Sequence, residues 1–128
     1  MEPQITYNSI DAFDKDLKRL AKKFPSLLED LGLVKRAAIE LFHLKKIDNH
    51  AVFPIPDFCS DTYQVFKIKK FACRSLKGRG VKSGIRVIYF FHIQKLEVIF
   101  IEMYFKSEQE NENRLKIKEY LKTIDSSI

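Results

Sequence analysis

The stretch IRVIYFFHIQKLEVIFIEMY, residues 85–104, decides the fold of this chain. It contains two runs rich in β-branched and aromatic residues, which favour strands, and only about two residues separate the runs near the middle. That separation is typical of a β-hairpin. Before it, residues 63–71 alternate lysines with apolar side chains such as Phe66 and Ile68, the pattern of a strand with one polar face. We therefore predict three consecutive antiparallel strands.

Helical periodicity precedes these strands. Apolar residues within 13–24 recur at helical spacing opposite a charged face, and Pro25 ends the pattern because its ring cannot continue the hydrogen-bond ladder. A second apolar stripe occupies residues 27–42, so the two segments are predicted to form an antiparallel helical hairpin. Residues 48–61 contain two prolines and no hydrophobic period, which predicts a loop.

The two ends of the chain complete the predicted architecture. Polar and apolar residues alternate around Tyr7, which indicates a short first strand. Ser107 with Glu110 forms a capping-box pattern ahead of an apolar helical stripe in residues 115–124. The predicted order is β-α-α-β-β-β-α in a single domain over residues 1–128. This is an α+β fold with a small antiparallel sheet of about four strands, an N-terminal helical hairpin and a C-terminal helix. We expect the helices on one face of the sheet and the lysines on the other.

Positive charge is concentrated in one part of the chain. Residues 62–96 contain nine lysines and arginines and no acidic residue, whereas the rest of the chain sums to −3. Because like-signed side chains gain most from a ligand that neutralises several of them together, this asymmetry favours a polyanion such as RNA, DNA or an acidic protein. The alternative interpretation is a basic face that is merely solvated.

Several other classes of protein do not fit the sequence. No apolar run approaches the roughly 18 to 20 residues that span a bilayer, and the first residues lack the pattern of a signal peptide, so we expect a cytoplasmic protein without a membrane partner. Cys59 and Cys73 fit no metal-ligand spacing and are expected to be free thiols. The three histidines are dispersed, so no metal site is expected either.

The densest cluster of cations lies in RSLKGRGVKSGIR, residues 74–86, where three glycines allow close backbone approach. It is not a P-loop, because the required spacing of glycine and lysine is absent. The alternatives are a phosphate-binding element and a flexible, soluble connection between strands. Arg86 differs from the others because it lies inside a strand-like run, where an arginine costs β-propensity and either extends from a sheet edge into solvent or faces a polar site; the polar site fits better.

A family resemblance rests on the same residues. The run KGRGVKSGIRVIY, residues 77–89, resembles the (G)K-x-G-G-x-R-V-x-Y signature of the RelE/ParE superfamily of toxins from type II toxin–antitoxin systems. Residues 63–69 resemble the basic strand that precedes this signature, and residues 101–108 resemble the end of the last strand. Residues 13–20 resemble the first helix, so the likeness spans most of the chain. Its spacing is closest to the HigB-like branch.

The resemblance implies a specific activity. RelE-like members are small mRNA interferases, endoribonucleases that enter the ribosomal A site and cut mRNA without a metal ion or other cofactor. The expected partners are therefore mRNA on the ribosome, including its rRNA, and a cognate antitoxin protein that blocks the toxin. The ribose 2′-hydroxyl attacks the adjacent phosphate in this chemistry, so the enzyme must move two protons and stabilise a phosphorane.

The resemblance also implies roles for particular residues. Arg86 matches the strand arginine of the signature and would stabilise the transition state. Lys67 and Lys69 match the basic positions of the preceding strand, where they would bind phosphate or transfer a proton. Lys106 and Tyr104 complete the candidate catalytic set. The candidate RNA-binding or phosphate-binding residues lie in the glycine-rich stretch: Arg74, Lys77, Arg79 and Lys82.

Two departures from the family pattern leave alternatives open. Lys106 stands where RelE-like enzymes often have an arginine, so it keeps the charge but loses the bidentate fork. Residues 110–113 lack the tyrosine that some members have early in the last helix, and Tyr104 is the candidate to replace it. The alternative functions are a ParE-like inhibitor of DNA gyrase and a catalytically degenerate basic RNA-binding module.

Overall fold

The structure is a computed structural model that describes residues 2–126, with side chains described up to residue 124. Helical residues continue from α2 (Leu27–Val34) through a π-helical turn, Lys35–Glu40, into α3 (Leu41–His43) without a break, so the predicted second helix is confirmed as one helical segment. No helix in residues 2–126 is both long enough and apolar enough to cross a membrane. The elements are β1 (Thr6–Ser9), α1 (Asp11–Lys23), α2 (Leu27–Val34), α3 (Leu41–His43), β2 (Val52–Pro54), β3 (Tyr63–Ile68), β4 (Ile85–His92), β5 (Glu97–Phe105) and α4 (Arg114–Ser126).

The strands form one sheet in the order β1-β5-β4-β3-β2. The α+β class and the antiparallel arrangement of β3, β4 and β5 are confirmed. The prediction of about four antiparallel strands is wrong, because the sheet has five strands and β1 runs parallel to β5. The fifth strand is β2, in the segment predicted as a loop, and it pairs antiparallel with β3. The sequence pattern did not indicate this strand, because Pro54 argues against a strand. Proline is nevertheless tolerated at the edge of a sheet, where β2 lies.

The prediction that helices cover only one face of the sheet is also wrong. On one face, Phe13 and Leu20 of α1 pack in a buried cluster with Tyr89 of β4. On the other face, α4 packs against the sheet, where the Tyr120 ring meets the Phe90 ring edge-on at 5.4 Å. The face that was predicted to carry the lysines is therefore partly covered by α4.

A β-bulge in the central hairpin changes which side chains face α4. The pairing of β4 with β5 shifts between Ile88 and Tyr89. Ile101 packs in the cluster beneath α4, and the adjacent Glu102 is buried with its carboxylate bonded to the segment that leads into α4. Strict alternation would direct one of two neighbouring residues to the opposite face. Because a bulge adds one residue to one strand, it lets both face α4.

The last helix begins later than the capping-box pattern predicts. It starts at Arg114, and the side-chain oxygen Oδ1 of Asn113 accepts a hydrogen bond from the backbone N–H of Leu115 at 3.1 Å. Residues 107–113 instead form a connection tied down by Glu102, which accepts hydrogen bonds from Gln109 Nε2 at 3.0 Å and from the Asn113 N–H at 2.8 Å. The buried carboxylate thus holds this connection against the sheet.

Candidate nucleic-acid interface

A cationic pocket of about 500 Å³ lies where β3 and β5 end and β4 begins. Six of the nine residues that line it are lysine or arginine, and none is acidic. They come from three separate parts of the chain, which the antiparallel pairing brings to one end of the sheet. The lining residues are Lys69, Lys70, Arg79, Val81, Lys82, Gly84, Arg86, Lys106 and Ser107.

Strand pairing sets the positions of the central cations. Arg86 is the second residue of β4 and lies opposite Tyr104 of β5. Its Nη1 donates a hydrogen bond to the Lys69 carbonyl oxygen at 2.9 Å, which orients the guanidinium across the end of β3. The Lys69 ammonium lies over the ring of Phe53 in β2, 4.5 Å from the ring centroid. A cation–π contact of this kind holds a lysine in place without neutralising its charge.

The loop between β3 and β4 brings Arg79 and Lys82 to the pocket, and its base is fixed by Ser83. The buried Ser83 hydroxyl donates to the Phe71 carbonyl oxygen and accepts from the Ile85 N–H at 3.1 Å. Gly84 follows with φ +87°, and a Cβ added there would lie 3.3 Å from the Phe105 ring. Both the backbone conformation and the space therefore require glycine at this position.

Lys67 and Tyr104 do not line the pocket but form a more buried group beside it. Lys67 Nζ lies 2.6 Å from Glu112 Oε1, and these two side chains are only 15% and 12% exposed. Burial raises the pKa of the Glu112 carboxyl, but the hydrogen bond from Lys67, a backbone hydrogen bond and the charges of Lys67 and Arg114 together outweigh it, so the pKa lies below its usual value. Sequence reasoning missed Glu112, because nothing in residues 110–113 indicates a contact with a strand 45 residues earlier.

Tyr104 connects this buried group with the cationic pocket. Burial, followed by the charges of Glu112 and Glu102, raises the pKa of its hydroxyl, while the charge of Arg86 acts in the opposite direction. The hydroxyl therefore lies within electrostatic reach of a pocket cation on one side and a carboxylate on the other.

Two predicted contact residues lie away from the pocket. Arg74 is paired with α2, since its Nε lies 2.9 Å from Asp30 Oδ1 and its Nη2 contacts Glu29. Burial raises the pKa of the Asp30 carboxyl, but hydrogen bonds from Ser26 and Arg74 outweigh this and keep it below its usual value. Lys77 is exposed on the loop but is not among the residues that line the pocket. Arg74 thus anchors the loop to α2 in this structure.

The structure brings most of the predicted residues to one place. The pocket also includes Lys70 and Ser107, which were not predicted as site residues; for Lys70, the run of cations around Lys69 was the available signal. Lys67 and Tyr104 lie beside the pocket, while Arg74 and Lys77 lie outside it. Five predicted site residues line it together: Lys69, Arg79, Lys82, Arg86 and Lys106.

Comparison of the chain with protein-family models, with curated proteins and with solved structures gives no match.

Proposed function

We propose that the protein is the toxin of a type II toxin–antitoxin system, a metal-independent mRNA endoribonuclease that acts at the ribosome and inhibits translation. The observation that supports this best is the cationic pocket, in which six positive side chains converge and no acidic residue takes part in the lining. Successive phosphates of an RNA strand would neutralise several of these charges together. The resemblance to the RelE/ParE superfamily, closest to its HigB-like branch, supplies the class of reaction.

The fold is compatible with this assignment. The element order β-α-α-β-β-β-α of the RelE-like arrangement is present once the short edge strand β2 is set aside. In such a toxin the site would lie on the open part of the sheet face that α4 leaves uncovered. The cationic pocket occupies that part.

The proposed reaction is an internal displacement at phosphorus. The O2′–P bond forms and the P–O5′ bond breaks, which leaves a 2′,3′-cyclic phosphate and a 5′-hydroxyl. Arg86 would stabilise the phosphorane, since its fork can contact two phosphate oxygens. Lys69 and Lys106 would add positive charge from the two flanking strands. Lys106 supplies a point charge where an arginine would clamp in two places, so we assign it a smaller share.

Proton transfer requires a group that the pocket itself lacks. Charged lysine and arginine side chains have donors and no acceptor atom. Glu112 is a carboxylate, and its charge acts on Tyr104, which also lies within electrostatic reach of Arg86 in the pocket. We therefore assign it the role of accepting the proton of the 2′-hydroxyl, directly or through Tyr104, while Lys67, which is paired with Glu112, would donate a proton to O5′.

The proposal also names partners and a location. A toxin of this kind needs a cognate antitoxin, and a cationic surface attracts the acidic segment of such a protein. Its substrate would be mRNA in contact with ribosomal RNA, which implies a cytoplasmic site of action.

The proposed function is tested by inducible expression in a bacterial host. Wild type, Arg86→Ala and the matched control Arg36→Ala are compared for growth and for new 5′-hydroxyl ends in mRNA. Arg36 is an exposed arginine outside the pocket. We expect wild type and Arg36→Ala to arrest growth and to create ends within translated codons, and Arg86→Ala to do neither while unfolding at a similar temperature. A fully toxic Arg86→Ala protein would contradict the role of Arg86. Arrest with a DNA-damage response and no new ends would favour gyrase inhibition.

One observation favours a second candidate, a basic RNA-binding module without catalysis. Every charged side chain that lines the pocket is a cation, and Lys67 is already paired with Glu112. Such a module would bind RNA with an affinity that falls as salt rises, because counterions are released on binding. It would leave the bound RNA uncut in a translating extract, which separates it from the nuclease.

A further inference from the structure

An apolar groove of about 160 Å³ lies next to the cationic pocket. The helical segment that starts with α2 supplies one wall, with Leu33 and Ala37 among its residues. The loop between β3 and β4 supplies the other wall, with Ala72 and Val81. A cavity of roughly 150 Å³ with apolar walls accommodates a benzene-sized group, so this groove has room for one large apolar side chain.

The groove is open, and an aliphatic side chain on each of its two walls is exposed. Leu33 is 49% exposed and Val81 is 45% exposed, although both are large aliphatic side chains. Apolar surface that is concave and rimmed by polar residues typically marks a contact with another molecule. Leu28 of the same helix is 66% exposed but does not line the groove, which makes it a matched control.

The groove and the cationic pocket share part of their lining. Lys70 and Val81 line both. In the loop, Val81 stands between Arg79 and Lys82, and both of these cations line the pocket. A ligand that places an apolar side chain against Val81 therefore has three positive charges within immediate reach.

The negative charge at the groove is already neutralised. Asp30 also lines it, but this carboxylate is buried and accepts hydrogen bonds from Ser26 Oγ at 2.6 Å and from the Arg74 N–H at 3.1 Å. It is also paired with the guanidinium of Arg74. The combined surface thus presents apolar walls and unneutralised cations, which is complementary to an acidic ligand with an apolar anchor.

We propose that the groove and the pocket together form the docking surface for an acidic segment of a protein partner. The segment inserts one aliphatic or aromatic side chain between Leu33 and Val81, and its carboxylates contact Lys70, Arg79 and Lys82. Because Lys70 and Val81 belong to both surfaces, a bound segment excludes RNA from the pocket. This inference rests on the proposed function for the identity of the excluded polyanion, and it gives the expected protein partner a defined position.

The test is a selection of short random peptides, displayed on phage, against the immobilised full chain. We expect the selected peptides to combine several acidic residues with one large apolar residue. Their affinity, measured by fluorescence anisotropy, should fall roughly tenfold or more in Leu33→Glu and in Val81→Glu. Leu28→Glu, the same change outside the groove, should leave the affinity unchanged. A labelled oligouridylate bound to the protein should be displaced by the peptide.

Three results would overturn the proposal. They are the selection of acidic peptides that lack an apolar residue, equal effects of Leu28→Glu and Leu33→Glu, and simultaneous binding of peptide and oligouridylate. Leu33 and Val81 are exposed, so their variants should keep the wild-type unfolding temperature, which circular dichroism checks. None of these measurements requires RNA cleavage, so failure of the proposed nuclease function would be detected separately.

Discussion

Lys67 and Lys69 show how far the surroundings decide what a charged residue can do. They are two positions apart and have the same side chain, and both were predicted to contact phosphate. Lys67 is largely buried against Glu112, whereas Lys69 is exposed, rests on Phe53 and lines the cationic pocket. A buried ion pair with short contacts has little charge left for a ligand. Lys69 is therefore the residue of the two that is available to bind phosphate.

The role proposed for Glu112 in proton transfer gives a prediction about catalysis. Replacing Glu112 by Gln removes the proton acceptor, so RNA cleavage in a translating extract should fall by roughly 100-fold. RNA binding should stay the same or rise slightly, because a negative charge near the pocket is lost. Glu119→Gln, an exposed change on α4, is the control. Wild-type cleavage by the Glu112 variant would exclude this role.

Buried His43 gives a prediction about acid stability. Its Nε2 lies 2.8 Å from the Tyr89 hydroxyl, its ring stacks on Phe91, and burial together with the charge of Lys46 lowers its pKa to about 4 from 6.5. A histidine whose pKa is lowered in the folded state contributes its full stabilisation when the pH is above its unfolded-state pKa. That contribution, about 3 kcal/mol, is lost as pH falls from 6.5 towards 4.

The measurement is urea unfolding between pH 7 and pH 4.5. We expect the free energy of unfolding to fall less in His43→Phe than in wild type, since phenylalanine keeps the stacking on Phe91 and has no titrating group. His50→Asn is the control, because His50 is exposed and has φ +63°, which asparagine tolerates. The same pH dependence in wild type and His43→Phe would show that other groups cause the acid sensitivity.

Backbone hydrogen bonds organise the loop between β3 and β4. Short backbone hydrogen bonds follow one another along it, from the Leu76 N–H to the Cys73 carbonyl at 2.9 Å and from the Lys82 N–H to the Arg79 carbonyl at 3.0 Å. Ser83 and Gly84 fix its end against the sheet. The backbone that carries its cations is thus organised before any ligand arrives, which lowers the entropy that binding must overcome.

Gly84 gives a prediction for this element. Gly84→Ala should reduce the free energy of unfolding by about 1–3 kcal/mol, because φ is positive there and the new Cβ would press on Phe105. Urea denaturation measures the change. Gly32→Ala is the matched control: nothing lies within 4 Å of its added Cβ, and alanine favours a helix, so that variant should be at least as stable as wild type. Equal stability of the Gly84 and Gly32 variants would contradict this account.

Folding converts an excess of charge in the sequence into a field at one end of the molecule. Of the nine cations in residues 62–96, the structure brings five to the pocket and adds Lys106 from the end of β5. Two others, Lys67 and Arg74, are paired with acidic side chains. The number of cations that can act on one ligand in the pocket is therefore six, which is smaller than the sequence suggests.

The count predicts the salt dependence of RNA binding. If all six pocket cations contact phosphates of a single strand, the slope of log K against log salt should be about −4 and no steeper. Lys82→Ala should make the slope shallower by about 0.7, whereas Lys118→Ala, an exposed change on α4, should not alter it. Fluorescence anisotropy with a labelled oligouridylate at several salt concentrations measures the slopes. An equal change in both variants would show that RNA does not bind in this pocket.

Local patterns in the sequence determined most of the elements and part of the interface. The alternation in residues 63–71, the two runs in 85–104 and the apolar stripes of the helices indicated the central strands and the helices correctly, because such preferences act between near neighbours. Five residues that the cationic cluster and the family resemblance singled out line the cationic pocket.

Only the tertiary structure decided what pairs with what. It placed β1 parallel beside β5, added β2 to the edge of the sheet, packed α4 on the second face and paired Lys67 with Glu112. It also brought Leu33 and Val81 together as the walls of the apolar groove. These contacts join residues far apart in the chain. A local pattern does not indicate which distant residue it will contact. Only the fold therefore shows which cations are neutralised and which remain free to bind a ligand.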